Sequence, residues 1–130
     1  MSGCIRTLVV DDEAIIREIV GDILVSEGNA VETASAGSFE EGLRLVQDQP
    51  FDVVFLDVRM EDGSGIDLLK SVRRHQPDAR VYMITGYKLD TEIQQALAEG
   101  ATGIISKPFR VRDILAALHG TSLAPAPLPE

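Results

Sequence analysis

The stretch VVFLDVRMEDGSG, residues 53–65, runs from an unbroken apolar segment into a glycine-bearing loop, and the carboxylate of Asp57 stands at the junction. Residues 53–56 show no polar alternation, which marks a strand covered on both faces, as in a parallel sheet flanked by helices. Working outward, similar β-branched runs lie at residues 5–10, 30–34, 81–84 and 103–106. Segments with helical spacing alternate with them. Ile16, Val20, Ile23 and Leu24 share one face, as do Phe39, Leu43 and Val46, then Ile66, Leu69 and Val72, then Ile93 and Leu97, and finally Val111, Ile114, Leu115 and Leu118. The alternation predicts an α/β domain. Five parallel strands are too few for the familiar eight-stranded barrel, so an open, doubly wound five-stranded parallel sheet is expected.

The punctuation agrees with these boundaries. Ser38 with Glu41 forms a capping box for the second helix, Asp90 or Thr91 starts the fourth, and Gly28, Gly100 and Gly120 follow helix ends. The fourth helix has a narrow apolar face and a polar start, which predicts light packing. After Gly120 the pattern stops. Residues 1–120 are therefore expected to form one domain, and residues 121–130 (TSLAPAPLPE) a proline-rich linker or tail.

With 130 residues the chain fits one domain that buries its core without disulfides. Its 45% hydrophobic and 5% aromatic content points to a core of Val, Ile, Leu and Ala. The 12 basic and 21 acidic side chains give a net charge of −9, which disfavours direct binding of nucleic acid or of an anionic membrane surface. The single cysteine, Cys4, forms no internal disulfide; it reads as a small buried group or part of a frayed end, and fits a reducing compartment. No signal peptide and no membrane-length apolar run is present, so a soluble, cytoplasmic chain is expected.

Right-handed crossovers place all the strand carboxyl ends on one edge, where ligands of such sheets bind. Asp11 and Asp12 end the first strand, Asp57 the third, Thr85 the fourth and Lys107 the fifth. Three crowded carboxylates need a cation or a proton at neutral pH. No His or Cys stands at ligand spacing, so an all-oxygen site for Mg²⁺ or Mn²⁺ is expected rather than one for zinc. A carboxylate beside such an ion, faced by an ammonium and a hydroxyl, is arranged for phosphoryl transfer. Asp57, alone at its strand end, is the candidate nucleophile, whereas the Asp11 and Asp12 pair suits metal binding.

The ordered set LVVDDE, VVFLDVRM, MITGY and IISKPF resembles the response-regulator receiver domain of two-component signalling, of the chemotaxis-receiver kind, over residues 5 to about 119. The resemblance implies the flavodoxin-like strand order 2-1-3-4-5. It implies Asp57 as phosphoacceptor, Thr85 and Lys107 on the phosphate, and Mg²⁺ held by Asp12, by Asp57, by Asp11 through water and by the main-chain carbonyl of Arg59. It also implies a cis peptide between Lys107 and Pro108. The partners it implies are a sensor histidine kinase or phosphotransfer protein and an output domain or downstream protein, with a phosphorylation-dependent dimer among the assemblies it allows. The output surface would be the fourth helix, fifth strand and fifth helix. The proline-rich tail fits an interdomain linker.

Three positions depart from the family pattern. Ile104 stands where receivers usually carry the aromatic that swings inward on phosphorylation, and Tyr87, beside Thr85 in sequence, is the candidate substitute. Glu61 occupies a place where the family often has proline. Arg59, two residues after Asp57, is placed to screen the phosphate from water.

Taken singly, each group has a plainer use. Asp12 can cap the first helix, Asp57 can be an ordinary strand-end acid, Thr85 a β-former and Lys107 an exposed lysine before a turn. Their joint occurrence at matching strand ends outweighs those uses. His75 and His119 read as helix-end groups, and Lys70, Arg73 and Arg74 as a solvated helix face. Two other functions are weighed against the switch. A Mg²⁺-dependent phosphohydrolase using an aspartyl-phosphate intermediate would want a second acid near the leaving group, where Arg59 stands. A flavodoxin-like cofactor module would place a ligand phosphate against three acids.

Overall fold

The structure is a computed structural model that describes residues 4–86 and 90–120, apart from the side chains of Asn29 and Asp90. Tyr87 and the 121–130 tail lie outside the described residues. Five strands, β1 (Ile5–Val10), β2 (Val31–Ala36), β3 (Val53–Asp57), β4 (Arg80–Thr85) and β5 (Gly103–Ser106), pair in parallel in the order β2-β1-β3-β4-β5. Five helices connect or follow them: α1 (Ala14–Val25), α2 (Phe39–Asp48), α3 (Gly65–His75), α4 (Asp90–Ala98) and α5 (Val111–His119). A minimal antiparallel hairpin, Arg59–Met60 with Gly63–Ser64, interrupts the path from β3 to α3.

The two-residue period of the strands sorts the core into two layers. Leu8, Val10, Val54, Leu56, Val81 and Met83 face one side, packing with Val46 of α2, Leu68, Leu69 and Val72 of α3 and Ala96 of α4. Val9, Val53, Phe55, Tyr82, Ile84 and Ile105 face the other, against Val20 and Leu24 of α1 and Ile114, Ala117 and Leu118 of α5. All five residues of β3 are buried, as expected for the central strand of a doubly covered sheet. The edge strand β2 exposes Glu32, Thr33 and Ser35, polar side chains that discourage pairing with a further strand.

Several local expectations are corrected. The second strand begins at Val31 and runs to Ala36, because Gly28–Ala30 forms a short 3₁₀ turn and the register with β1 extends from Ile5↔Val31 to Val10↔Ala36. Among the described side chains of α4 the fully buried one is Ala96, whereas Leu97 is 48% exposed; the small side chain lets this helix seat closely while Leu97 points outward. Val111 is exposed on α5, whose buried residues are Ile114, Ala117 and Leu118. Cys4 is exposed. Arg73 turns back along its helix end to donate to the carbonyls of Pro77 (2.7 Å) and Ala79, so it is a clamp rather than part of a solvated face. The predicted cap of α2 forms: Ser38 Oγ accepts from the Glu41 N–H at 3.1 Å, and Glu41 Oε1 accepts from the Gly37 N–H at 2.8 Å. Gly28, Gly100 and Gly120 all have positive φ, the left-handed conformation that ends helices.

Candidate functional site

The sheet register levels the chemical groups before any side-chain preference acts. Val10 pairs with Leu56, so Asp11 and Asp57 leave adjacent strands side by side. Thr85 pairs with Ser106, so Lys107 begins its loop beside the end of β4, and its N–H donates to the Thr85 carbonyl at 2.8 Å. The Lys107–Pro108 peptide is cis.

These groups open onto a cleft of about 400 Å³ lined by Asp12, Glu13, Asp57, Arg59, Thr85 and Lys107, among others. Asp11 is fully buried, Thr85 is 4% exposed and Asp57 is 7% exposed. Asp11, Asp12 and Asp57 each bring a carboxylate oxygen within 4.8 Å of the others. The Lys107 ammonium lies 3.0 Å from Glu13 Oε1, 3.3 Å from Asp11 Oδ2 and 3.9 Å from Asp57 Oδ1. One lysine thus faces three acids.

The electrostatics follow from this crowding. Burial and the negative charge of Asp11 push the Asp57 carboxyl up to about 7, against the pull of Lys107 and of the Arg59 N–H. Burial also raises Asp11, although its Oδ1 accepts the Glu13 N–H at 2.8 Å. Burial alone would lower the Lys107 ammonium; its hydrogen bond to Glu13 and the charges of Asp57 and Asp11 outweigh burial and leave it raised.

A divalent cation fits this donor set. Asp11 Oδ2 is buried, lies 3.3 Å from the Lys107 ammonium and has no hydrogen-bond partner among the described residues, and Asp11 is one of the three clustered carboxylates. The donors are hard carboxylate oxygens, the type that Mg²⁺ and Mn²⁺ take.

Neighbouring residues hold the acids in place. Arg17 of α1 donates through Nη1 to the Asp11 carbonyl at 2.6 Å. The Arg59 N–H lies 3.4 Å from Asp57 Oδ1, and its guanidinium pairs with Glu92 of α4 at 3.1 Å. Gly65, the first residue of α3, packs so closely under the site that a Cβ there would lie 1.9 Å from the Asp57 carbonyl oxygen. Asp12 does not cap α1: the cap residue is Glu13, with no side-chain cap bond, and Asp12 Oδ2 instead accepts the N–H of Glu61 at 3.0 Å.

The candidates Asp11, Asp12, Asp57, Thr85 and Lys107 are therefore brought together, and Arg59 lines the same cleft. Ile104 is half-buried against the layer containing Met83 and Ala96. Tyr87, the other switch candidate, falls outside the described residues. Sequence reasoning assigned no role to Glu13, Arg17, Gly65 or Glu92. Glu13 was signalled by its place next to the acid pair; the other three act through approaches that local sequence does not encode.

Comparison with known proteins agrees with this geometry. The family described as "Response regulator receiver domain" matches residues 7–119. The response regulator protein PilR of Pseudomonas aeruginosa is 39% identical over 115 residues, covering 85% of this chain and 25% of that protein. The photosynthetic apparatus regulatory protein RegA of Cereibacter sphaeroides is 34% identical over 122 residues, covering 92% of this chain and 65% of the relative. The chain thus spans between a quarter and about two thirds of these two relatives. Among solved structures, a CheY-like receiver domain protein from Methanospirillum hungatei superposes with a TM-score of 0.86 at 30% identity, covering 91% of this chain and 93% of that one. A response regulator from Burkholderia pseudomallei, solved with a phosphorylated aspartic acid, calcium ion and citrate, has a TM-score of 0.81 at 31% identity, covering 88% and 66%.

Proposed function

This chain belongs to the response regulator receiver domain family, and from that premise we propose that Asp57 is its phosphoacceptor. The observation that carries the assignment is the convergence of Asp11, Asp12 and Asp57 within 4.8 Å, with the Lys107 ammonium 3.9 Å from Asp57 Oδ1. As a Asp57 carboxylate oxygen forms its bond to phosphorus, the bond from phosphorus to the donor imidazole breaks and its electron pair returns to the ring nitrogen. Lys107 moves from its acid partners toward the phosphoryl oxygens, and the Thr85 hydroxyl donates to one of them. Asp11, Asp12, Asp57 and the main-chain carbonyl of Arg59 would hold Mg²⁺, which supplies positive charge for the phosphoryl oxygens and favours the ionised form of Asp57.

In this reading a histidine kinase or phosphotransfer protein supplies the phosphoryl group, and the α4-β5-α5 surface reports its arrival to an output domain or partner in the cytoplasm. The chain then turns over no separate substrate and catalyses only its own phosphorylation and dephosphorylation. The relatives described above are signalling regulators, and they lend no support to the phosphohydrolase alternative. The test is intact-mass measurement after incubation with acetyl phosphate and Mg²⁺. The native chain is expected to gain one phosphoryl group and Asp57→Asn none; equal labelling of both would contradict the assignment.

A further inference from the structure

We infer that the main-chain N–H of Glu61 is a positioning group for Asp12, holding that carboxylate in the metal-binding cluster. The inference rests on the proposed metal site and deepens it. Glu61 and Asp62 are the two turn residues of the hairpin in which Met60 pairs with Gly63. Each ties the turn to a different part of the molecule. The Asp62 carboxylate accepts the N–H groups of Phe39 (2.8 Å) and Glu40 (3.3 Å) at the start of α2, while the Glu61 N–H donates to Asp12 Oδ2 at 3.0 Å.

The backbone makes this tie separable from the turn itself. No non-glycine residue among those described has positive φ, so Glu61 holds the first central position of an unprimed turn, a position at which proline is accepted. Met60 before it is extended, which also suits a following proline. A proline at 61 would keep the turn and lose one donor, and that donor serves Asp12.

The hydrogen bond leaves Asp12 available to a cation. A carboxylate has two oxygens and about four acceptor sites, so Oδ2 can take the N–H while the group still ligates. In the structure Asp12 makes this bond and at the same time contributes to the three-carboxylate cluster. The N–H therefore restricts a half-buried side chain that could otherwise rotate toward solvent, and it places a positive dipole end against the repulsion from Asp11 and Asp57.

The experiment is calorimetric titration of the native chain, Glu61→Pro and Glu61→Ala with Mg²⁺. Glu61→Pro is expected to bind Mg²⁺ on the order of tenfold more weakly, the scale of lost outer-shell hydrogen bonds to metal ligands, while Glu61→Ala, which keeps the N–H, stays within about twofold of native. Saturating Mg²⁺ is expected to restore the maximal phosphorylation rate of Glu61→Pro, which damage to the fold would not permit. Equal affinity of Glu61→Pro and native, tighter binding by Glu61→Pro, or an equal loss in Glu61→Ala would each overturn the inference. Should the native chain bind no Mg²⁺, the metal-site reading itself fails. A second measurement needs no proline: Asp12→Ala is expected to speed hydrogen exchange of the Glu61 N–H, and an unchanged exchange rate overturns the tie.

Discussion

At the scale of the residue, the role proposed for Asp57 combines burial with nucleophilic chemistry, two demands that conflict. Its carboxyl, raised to about 7 by burial and by Asp11, holds a proton in the metal-free native chain over a range where the unfolded chain, near its ordinary value of 3.8, has lost it. A raised folded-state value contributes stability that is complete below the unfolded value and disappears as pH rises through the folded one. Without metal, the stability of the native chain relative to Asp57→Asn is therefore expected to fall between about pH 5 and about pH 8, as measured by urea unfolding. Added Mg²⁺ should recover more of the loss at the higher pH, because binding to the folded state stabilises it by mass action. A relative stability that rises with pH would contradict the electrostatic description. The same residue-scale view explains what sequence left hidden. The tie from Glu61 to Asp12 joins positions 49 apart and uses a main-chain donor, so no side-chain pattern announces it.

At the scale of the element, helix α3 is set against the strand that ends in Asp57 by a small residue. Gly65 has no left-handed φ to explain it; the reason is space, since a methyl group there would meet the Asp57 carbonyl at 1.9 Å. The Gly65 N–H also donates to the Val58 carbonyl at 2.9 Å, closing the loop around Asp57. Gly65→Ala is expected to cost roughly 1–3 kcal/mol, as overpacking does, read by urea unfolding, and to slow phosphorylation because relief of the clash displaces Asp57. Native-like stability and rate would show that the loop yields freely. Helix α4 marks the limit of reading periodicity. Among its described side chains one alanine is buried, and with so narrow an apolar face the choice between Ala96 and Leu97 as the core residue depends on how the helix lies on α3 and the sheet. Strand β2 was legible in kind but displaced, since an edge strand that exposes polar side chains carries a weak two-residue pattern.

At the scale of the whole molecule, sequence carried further than at either smaller one. The uninterrupted apolar runs at residues 53–56 and 81–84 already implied a sheet covered on both faces, and the parallel strands then required Asp11, Asp12, Asp57, Thr85 and Lys107 to share an edge. The strand order came through family resemblance, and the observed pairing of β1 with both β2 and β3 agrees with it. Among the described residues no helix is long and apolar enough to cross a membrane. The central claim is that this fold makes one carboxylate, Asp57, the acceptor. Its most direct test is to treat the chain with acetyl phosphate and Mg²⁺, reduce the acyl phosphate with borohydride, and locate the resulting homoserine by peptide mass spectrometry. The account predicts homoserine at the position of Asp57 alone; its appearance at Asp11, Asp12 or Glu13 with Asp57 unmodified would contradict it.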